Sequence, residues 1–157
     1  MTQHLSRRTF TVGLSALAMT TALPAGAASP EMIVAKDPGC GCCGAWIDIL
    51  EKDGFDISTR NVDHDTLTRL KMLSGVPEEM ASCHTAKVGD YVIEGHVPPS
   101  DIHRLLKEQP DAVGLSVPGM PWGSPGMGPE SEREAYDVFL IKRDGSVEVF
   151  QSYDAAS

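Results

Sequence analysis

Basic residues are scarce in this chain: 13 Lys and Arg stand against 22 Asp and Glu, a formal net charge of −9 over 157 residues. So few cations cannot neutralise phosphates along a polynucleotide, which excludes nucleic acid as a partner. Also missing is an uncharged run of the ~20 residues that a membrane-spanning helix needs; the apolar stretch from Val12 to Leu23 is shorter. Cysteine is sparse and confined. Three of the four thiols fall in Cys40-Gly41-Cys42-Cys43, and Cys83 stands alone where a structural zinc site would place a second C-x-x-C knuckle. No internal repeat is present apart from the near-duplicated Pro-Gly-Met at 118–120 and 125–127.

The amino-terminal segment reads as a targeting signal. Ser6-Arg7-Arg8-Thr9-Phe10 is a paired-arginine motif, followed by the apolar stretch and by Ala25-Gly26-Ala27, small residues suited to cleavage after Ala27. An uncleaved membrane anchor is the competing reading, and the short span argues against it. The expectation is a twin-arginine signal peptide over 1–27, a single domain over 28–157, and a periplasmic location with no membrane span after cleavage. Cleavage would remove Arg7 and Arg8 but no carboxylate, moving the charge from −9 to −11. About 130 residues remain, enough for one core and little room for two.

Periodicity then gives an element order. Met32-Ile33-Val34-Ala35 predicts a buried strand ended by Asp37-Pro38-Gly39, and Trp46, Ile47 and Leu50 follow helical spacing from Cys43 to a cap at Gly54. Phe55 to Val62 reads as a strand with Phe55, Ile57 and Thr59 on one face. Asp63 or Asp65 caps a second helix lined by Leu67, Leu70 and Leu73 that ends near Gly75. Thr85–Val88 and Tyr91–Ile93 around Gly89-Asp90 predict a hairpin. Pro98-Pro99 opens a third helix that buries Ile102, Leu105 and Leu106 and stops at Pro110. Residues 111–130, with five glycines, four prolines and two methionines, read as a long functional loop. Tyr136–Ile141 and Val147–Phe150 close the chain as a second hairpin. The order β-α-β-α-β-β-α predicts an α/β thioredoxin-like fold, with the cysteine run at the start of the first helix.

A thiol at a helix N-terminus faces unpaired N–H groups and the positive end of the helix dipole, so thiolate is favoured there. Cys40 and Cys43 have the C-x-x-C spacing of a redox dithiol, and Cys42 adds a third sulfur that would compete for any disulfide. Crowded thiolates repel one another, and a soft cation, Cu(I) or Zn(II), relieves the repulsion. The missing second knuckle weakens zinc. The Pro-Gly-Met repeats favour Cu(I), because thioether sulfur in Met120 and Met127 is a good ligand for it and a poor one for zinc. Those methionines could equally dock the loop on the core. His84 and His96 could be ligands, groups supporting the ligands, or hydrogen-bonded strand residues. His64 and His103 read as solvent-facing, Trp46 as core, and Trp122 as either a lid or an anchor.

With these residues in place, the chain resembles the DUF411 family of exported metal-binding proteins, which includes copper-resistance proteins. The resemblance rests on Asp37-Pro38-Gly39-Cys40-Gly41-Cys42-Cys43, Ser82-Cys83-His84-Thr85-Ala86 and Tyr91-Val92-Ile93-Glu94-Gly95-His96-Val97-Pro98. It continues through Gly114-Leu115 to Gly119-Met120-Pro121 and Gly126-Met127. It implies copper gathered by Cys40, Cys42, Cys43 and Cys83 as a multinuclear thiolate-bridged cluster, with Met120, Met127, His84 and His96 as further ligands. It also implies copper ions and other exported copper-handling proteins as partners. Ordinary thioredoxins place a cis-proline before the third strand. Here Ser82-Cys83-His84 occupies that region.

Three functions compete. The first is copper handling, whether by storage, transfer or a copper-linked oxidoreductase that cycles the ion's oxidation state. The second is thiol-disulfide exchange, with Cys40 attacking and Cys43 resolving. The third is a non-catalytic exported domain with two disulfides. Cys42 separates them: the first requires it, the second does not need it and the third would pair it.

Overall fold

The computed structural model of the protein describes residues 29–157. The expected signal peptide, 1–27, lies outside the described residues. Among the described residues, no helix is long and apolar enough to cross a membrane.

The elements are β1 (Glu31–Lys36), α1 (Gly41–Lys52), β2 (Asp56–Asn61), α2 (His64–Leu73), a 3₁₀ turn (Glu78–Met80), β3 (His84–Val88), β4 (Tyr91–Glu94), α3 (Pro99–Glu108), β5 (Ala112–Ser116), a second 3₁₀ turn (Glu130–Glu132), β6 (Tyr136–Lys142) and β7 (Val147–Tyr153). All seven strands join one mixed sheet in the order β2-β1-β3-β4-β5-β6-β7. β1 runs parallel to β2 and β4 parallel to β5; the other neighbours are antiparallel.

Alternation along the strands sends successive side chains to opposite faces, so each face needs its own cover. Ile93, Leu115 and Leu140 meet Trp46 and Leu50 of α1 and Ile102 and Leu105 of α3 in the larger core cluster. Their neighbours Val92 and Ile141 turn the other way, onto Val76 and Met80 after α2. The protein is thus a mixed α/β fold with helical cover on both faces of one sheet.

As expected, the cysteine run opens α1, with Cys40 extended at the N-cap and Gly41 the first helical residue. Other expectations need correction. α2 buries Leu67 and Lys71, whereas Leu70 and Leu73 are 36% and 86% exposed. The helix therefore turns a narrower apolar stripe to the sheet than its leucines suggest. β2 is an edge strand: Phe55 is buried just before it, Ile57 is half-buried and Thr59 is exposed. Leu106 is half-buried. The segment read as an unbroken loop over 111–130 begins with β5, which adds to β4 in parallel.

Candidate metal centre

Three chain segments converge at one end of the sheet. β1 ends at Lys36, and the turn after it is closed when the Gly39 N–H donates to Asp37 Oδ1 (2.7 Å) and the Cys40 N–H donates to the Asp37 carbonyl (3.1 Å). This puts Cys40 at the N-cap of α1, with Cys42 and Cys43 in its first turn and no carboxylate among them. β3 is antiparallel to β1, so its first residue, His84, pairs with Lys36 and brings Cys83 to the same place. β4 ends there too, at Glu94, and the chain turns through Gly95 into His96. Gly95 has φ +71°, and a Cβ on it would lie 2.5 Å from the Ser82 side chain. Glycine is what lets His96 pass so close to the segment carrying Cys83.

The four sulfurs of Cys40, Cys42, Cys43 and Cys83 lie within 4.8 Å of one another. Cys40 and Cys43 are joined by a disulfide, with Cα atoms 5.4 Å apart, and Cys42 and Cys83 are free. This pairing competes with a metal-thiolate for the same sulfurs. Its physical basis is that the C-x-x-C spacing at a helix start holds the two Cα atoms within disulfide range. A metal held by all four sulfurs requires the dithiol form. The Cys42 sulfur is 3.5 Å from that of Cys40.

Cys83, outside the helix start to which the thiolate expectation applied, shifts the other way. Burial, followed by the neighbouring Cys42, pushes its thiol up to about 11. Cys83 comes from the segment before β3 rather than from α1 itself, and the desolvation of its thiol dominates. The thiol has two imidazole neighbours: His84 Nδ1 at 3.3 Å and His96 Nε2 at 3.1 Å. Cys83, His84 and His96 form a second group with ligand atoms inside 4.8 Å.

The ring of His96 is oriented from behind. Its Nδ1 lies 2.8 Å from the Pro125 carbonyl, which can only accept, so Nδ1 carries the proton and Nε2 turns its lone pair to Cys83. His84 is fully buried, 4.3 Å from the Trp46 ring and 5.1 Å from that of His96. Burial, then His96 and Lys71, holds its pKa well below the ordinary histidine value, so the imidazole is neutral. Its Nε2 is buried without a hydrogen-bond partner. Burial also lowers the pKa of His96, against the pull of its hydrogen bond to Pro125. Both rings are thus in the neutral state that a metal needs, and sulfur with imidazole suits copper.

The glycine-rich segment folds over this corner. Gly126, at φ +84°, lies against the first turns of α1: a Cβ there would come within 2.7 Å of the Trp46 nitrogen and 3.0 Å of the Cys42 carbonyl oxygen. The Gly119 N–H donates to the Ala81 carbonyl (3.2 Å), and the Ser82 hydroxyl donates to the Gly119 carbonyl. Met120 is 55% exposed and Met127 is half-buried. Trp122 anchors the loop to the following 3₁₀ turn, its Nε1 donating to Glu132 Oε2 at 3.1 Å. Trp46 is core and donates to the Val97 carbonyl at 2.9 Å. His64 is exposed, and His103 is a surface residue paired with Asp53.

A buried polar network that periodicity and motifs do not mark lies next to the cysteines. Glu94 Oε1 lies 2.5 Å from Lys71 Nζ and accepts from the Ser82 N–H (2.6 Å), while Oε2 accepts from the Thr85 hydroxyl (2.7 Å). Lys71 also donates to Thr85 Oγ1 at 2.9 Å. Burial pushes the Glu94 carboxyl above its ordinary value, against the pull of Lys71. The only signal in the sequence is a glutamate ending an apolar strand.

A family model described as "Protein of unknown function, DUF411" matches residues 80–127, the stretch from Met80 through Cys83 and His96 to Met127. No curated protein matches. Two solved structures of a copper resistance protein CopG are similar. Its form 2 is 42% identical with a TM-score of 0.73, over 80% of this chain and 98% of that one. Its form 1 is 40% identical with a TM-score of 0.75, over 81% of this chain and all of that one.

Proposed function

The chain belongs to the DUF411 family, CopG-like members included, and from that premise we propose that it is a periplasmic copper-binding protein of copper resistance. In this reading residues 1–27 are the export signal and 28–157 the single binding domain. The order β2-β1-β3-β4, with α1 joining parallel β1 and β2 and a β3-β4 hairpin leading to α3, supports a thioredoxin-like core extended by β5 to β7.

The observation that carries the proposal is the gathering of all four cysteine sulfurs within 4.8 Å at one end of the sheet. Once the Cys40–Cys43 pair is reduced, four thiolates surround a space too small for separate sites. Bridging sulfurs then let several Cu(I) ions share them. His96, with its free lone pair, and His84 extend the donor set, and Met120 and Met127 supply soft neutral ligands from the loop. Bound copper would supply one-electron chemistry if its oxidation state cycles; the protein supplies soft donors, neutral imidazoles and cover from solvent. Zinc suits the missing second knuckle less well.

The test is an anaerobic Cu(I) titration of the reduced domain, with a thiol count on the same sample. Loading above one Cu(I) per chain is expected. A chain that binds no Cu(I), or retains less than one, overturns the reading.

The Cys40–Cys43 disulfide favours a second reading, thiol-disulfide exchange. Cys42 discriminates. Robust disulfide reductase activity in metal-free protein that survives Cys42→Ser would favour exchange over copper.

A further inference from the structure

Glu94 grips the chain on both sides of Cys83. It accepts from the Ser82 N–H immediately before that cysteine and from the Thr85 hydroxyl two residues after it, and its own chain continues through Gly95 into His96. One carboxylate therefore fixes the two segments whose reactive atoms, Cys83 Sγ and His96 Nε2, lie 3.1 Å apart. Lys71 supplies the countercharge from α2, reaching both Glu94 and Thr85. The carboxylate is fully buried and the Lys71 side chain is 10% exposed.

An ion pair this deep is an expensive way to stabilise a domain. Apolar residues of similar size often serve as well or better. What the pair provides here is direction: four hydrogen bonds meet in one place and leave the Ser82–His84 backbone little freedom. Apolar packing would hold that segment less sharply, because it is non-directional.

We propose that Glu94, braced by Lys71 and Thr85, is a positioning residue that sets Cys83 against His96 for metal ligation. This rests on the copper reading. Groups that orient ligands from behind typically account for roughly 10- to 100-fold in metal affinity. A bare structural ion pair would change stability and leave the affinity of the folded protein alone.

The experiment is Cu(I) competition against a chelator of known affinity, on reduced full-chain protein, in wild type, Glu94→Gln, Cys83→Ser and the double variant. Circular dichroism and thermal melts establish which variants fold. Glu94→Gln keeps the shape but loses the charge and one acceptor. We expect it to weaken Cu(I) binding roughly 10- to 100-fold in the wild-type background. In the Cys83→Ser background it should have little effect, since two changes acting through one contact do not add. Unchanged affinity in folded Glu94→Gln overturns the proposal, and so does an equal loss in both backgrounds. If Glu94→Gln does not fold, Thr85→Val takes its place under the same two criteria, because it removes one hydroxyl and leaves both charges. Failure of wild type to take up Cu(I) would instead overturn the proposed function, so the two failures are distinguishable.

Discussion

His96 stands between Pro125 and Cys83, its Nδ1 2.8 Å from a loop carbonyl and its Nε2 3.1 Å from the cysteine sulfur. The loop thereby decides the tautomer of the ring, and the tautomer decides that a lone pair rather than an N–H faces the sulfur. Replacing His96 with Phe keeps a ring in the cavity and removes both nitrogens. Cu(I) affinity in a chelator competition should fall about tenfold or more. Affinity equal to wild type would reduce His96 to a packing residue.

Cys42 lies 3.5 Å from Cys40 and is free while Cys40 and Cys43 are joined. It is dispensable to a two-cysteine exchange mechanism and necessary to a cluster. Cys42→Ser should therefore lower both Cu(I) stoichiometry and affinity in anaerobic titration, while Cys40→Ser and Cys43→Ser lower them and also abolish any residual disulfide reductase activity. Full loading of the Cys42→Ser protein would sink the cluster.

The Cys40–Cys43 run was legible because its signal is local: a strand, an Asp-Pro-Gly turn and three thiols opening a helix lie within twelve residues. The network around Glu94 was not. Lys71 lies in a helix whose leucines imply a different buried face, and its partner is 23 residues away. Only the register that pairs Thr85 with Glu94 brings the groups together. β5 was missed for another reason. Its five residues include Gly114 and lead into a Gly/Pro-rich stretch, so no alternation marks it, and it is recognisable only by its place between β4 and β6.

The Cys83 thiol, pushed up to about 11 by burial and by Cys42, carries its proton at neutral pH in the absence of metal. Binding metal must release it. Cu(I) affinity should then rise with pH through the neutral range, by about tenfold per unit for each proton displaced. The metal-free protein with the Cys40–Cys43 disulfide intact should show the opposite trend in stability. Its folded state keeps a proton that the unfolded chain loses above the ordinary thiol value of 9.0, so stability falls as pH rises from there toward about 11. Proton release on Cu(I) addition in weakly buffered solution checks the first trend, and denaturant melts check the second. Affinity independent of pH would mean that Cys83 is not displaced from its proton by metal.

Gly126 is the point where the loop meets α1, and its φ of +84° is one that side chains rarely adopt. A methyl group there would also press on the Trp46 nitrogen and the Cys42 carbonyl oxygen. Gly126→Ala should lift the loop from the helix start at a cost of about 1–3 kcal/mol. The Pro125 carbonyl would then draw away from His96, so Cu(I) affinity falls together with stability. Proteolysis offers a direct view of the same contact. Cutting near Trp122 should be slow in copper-loaded protein, faster in metal-free protein, and fastest in Gly126→Ala. Met120→Leu and Met127→Leu nearly preserve volume while removing a thioether, so each should weaken the copper-dependent protection. Each should also cost less affinity than the loss of any cysteine, since a neutral sulfur is one weak donor beside several thiolates. Equal cleavage with and without copper, in wild type and both leucine variants, would leave the methionines as packing residues and confine the metal to the four cysteines and the two buried histidines.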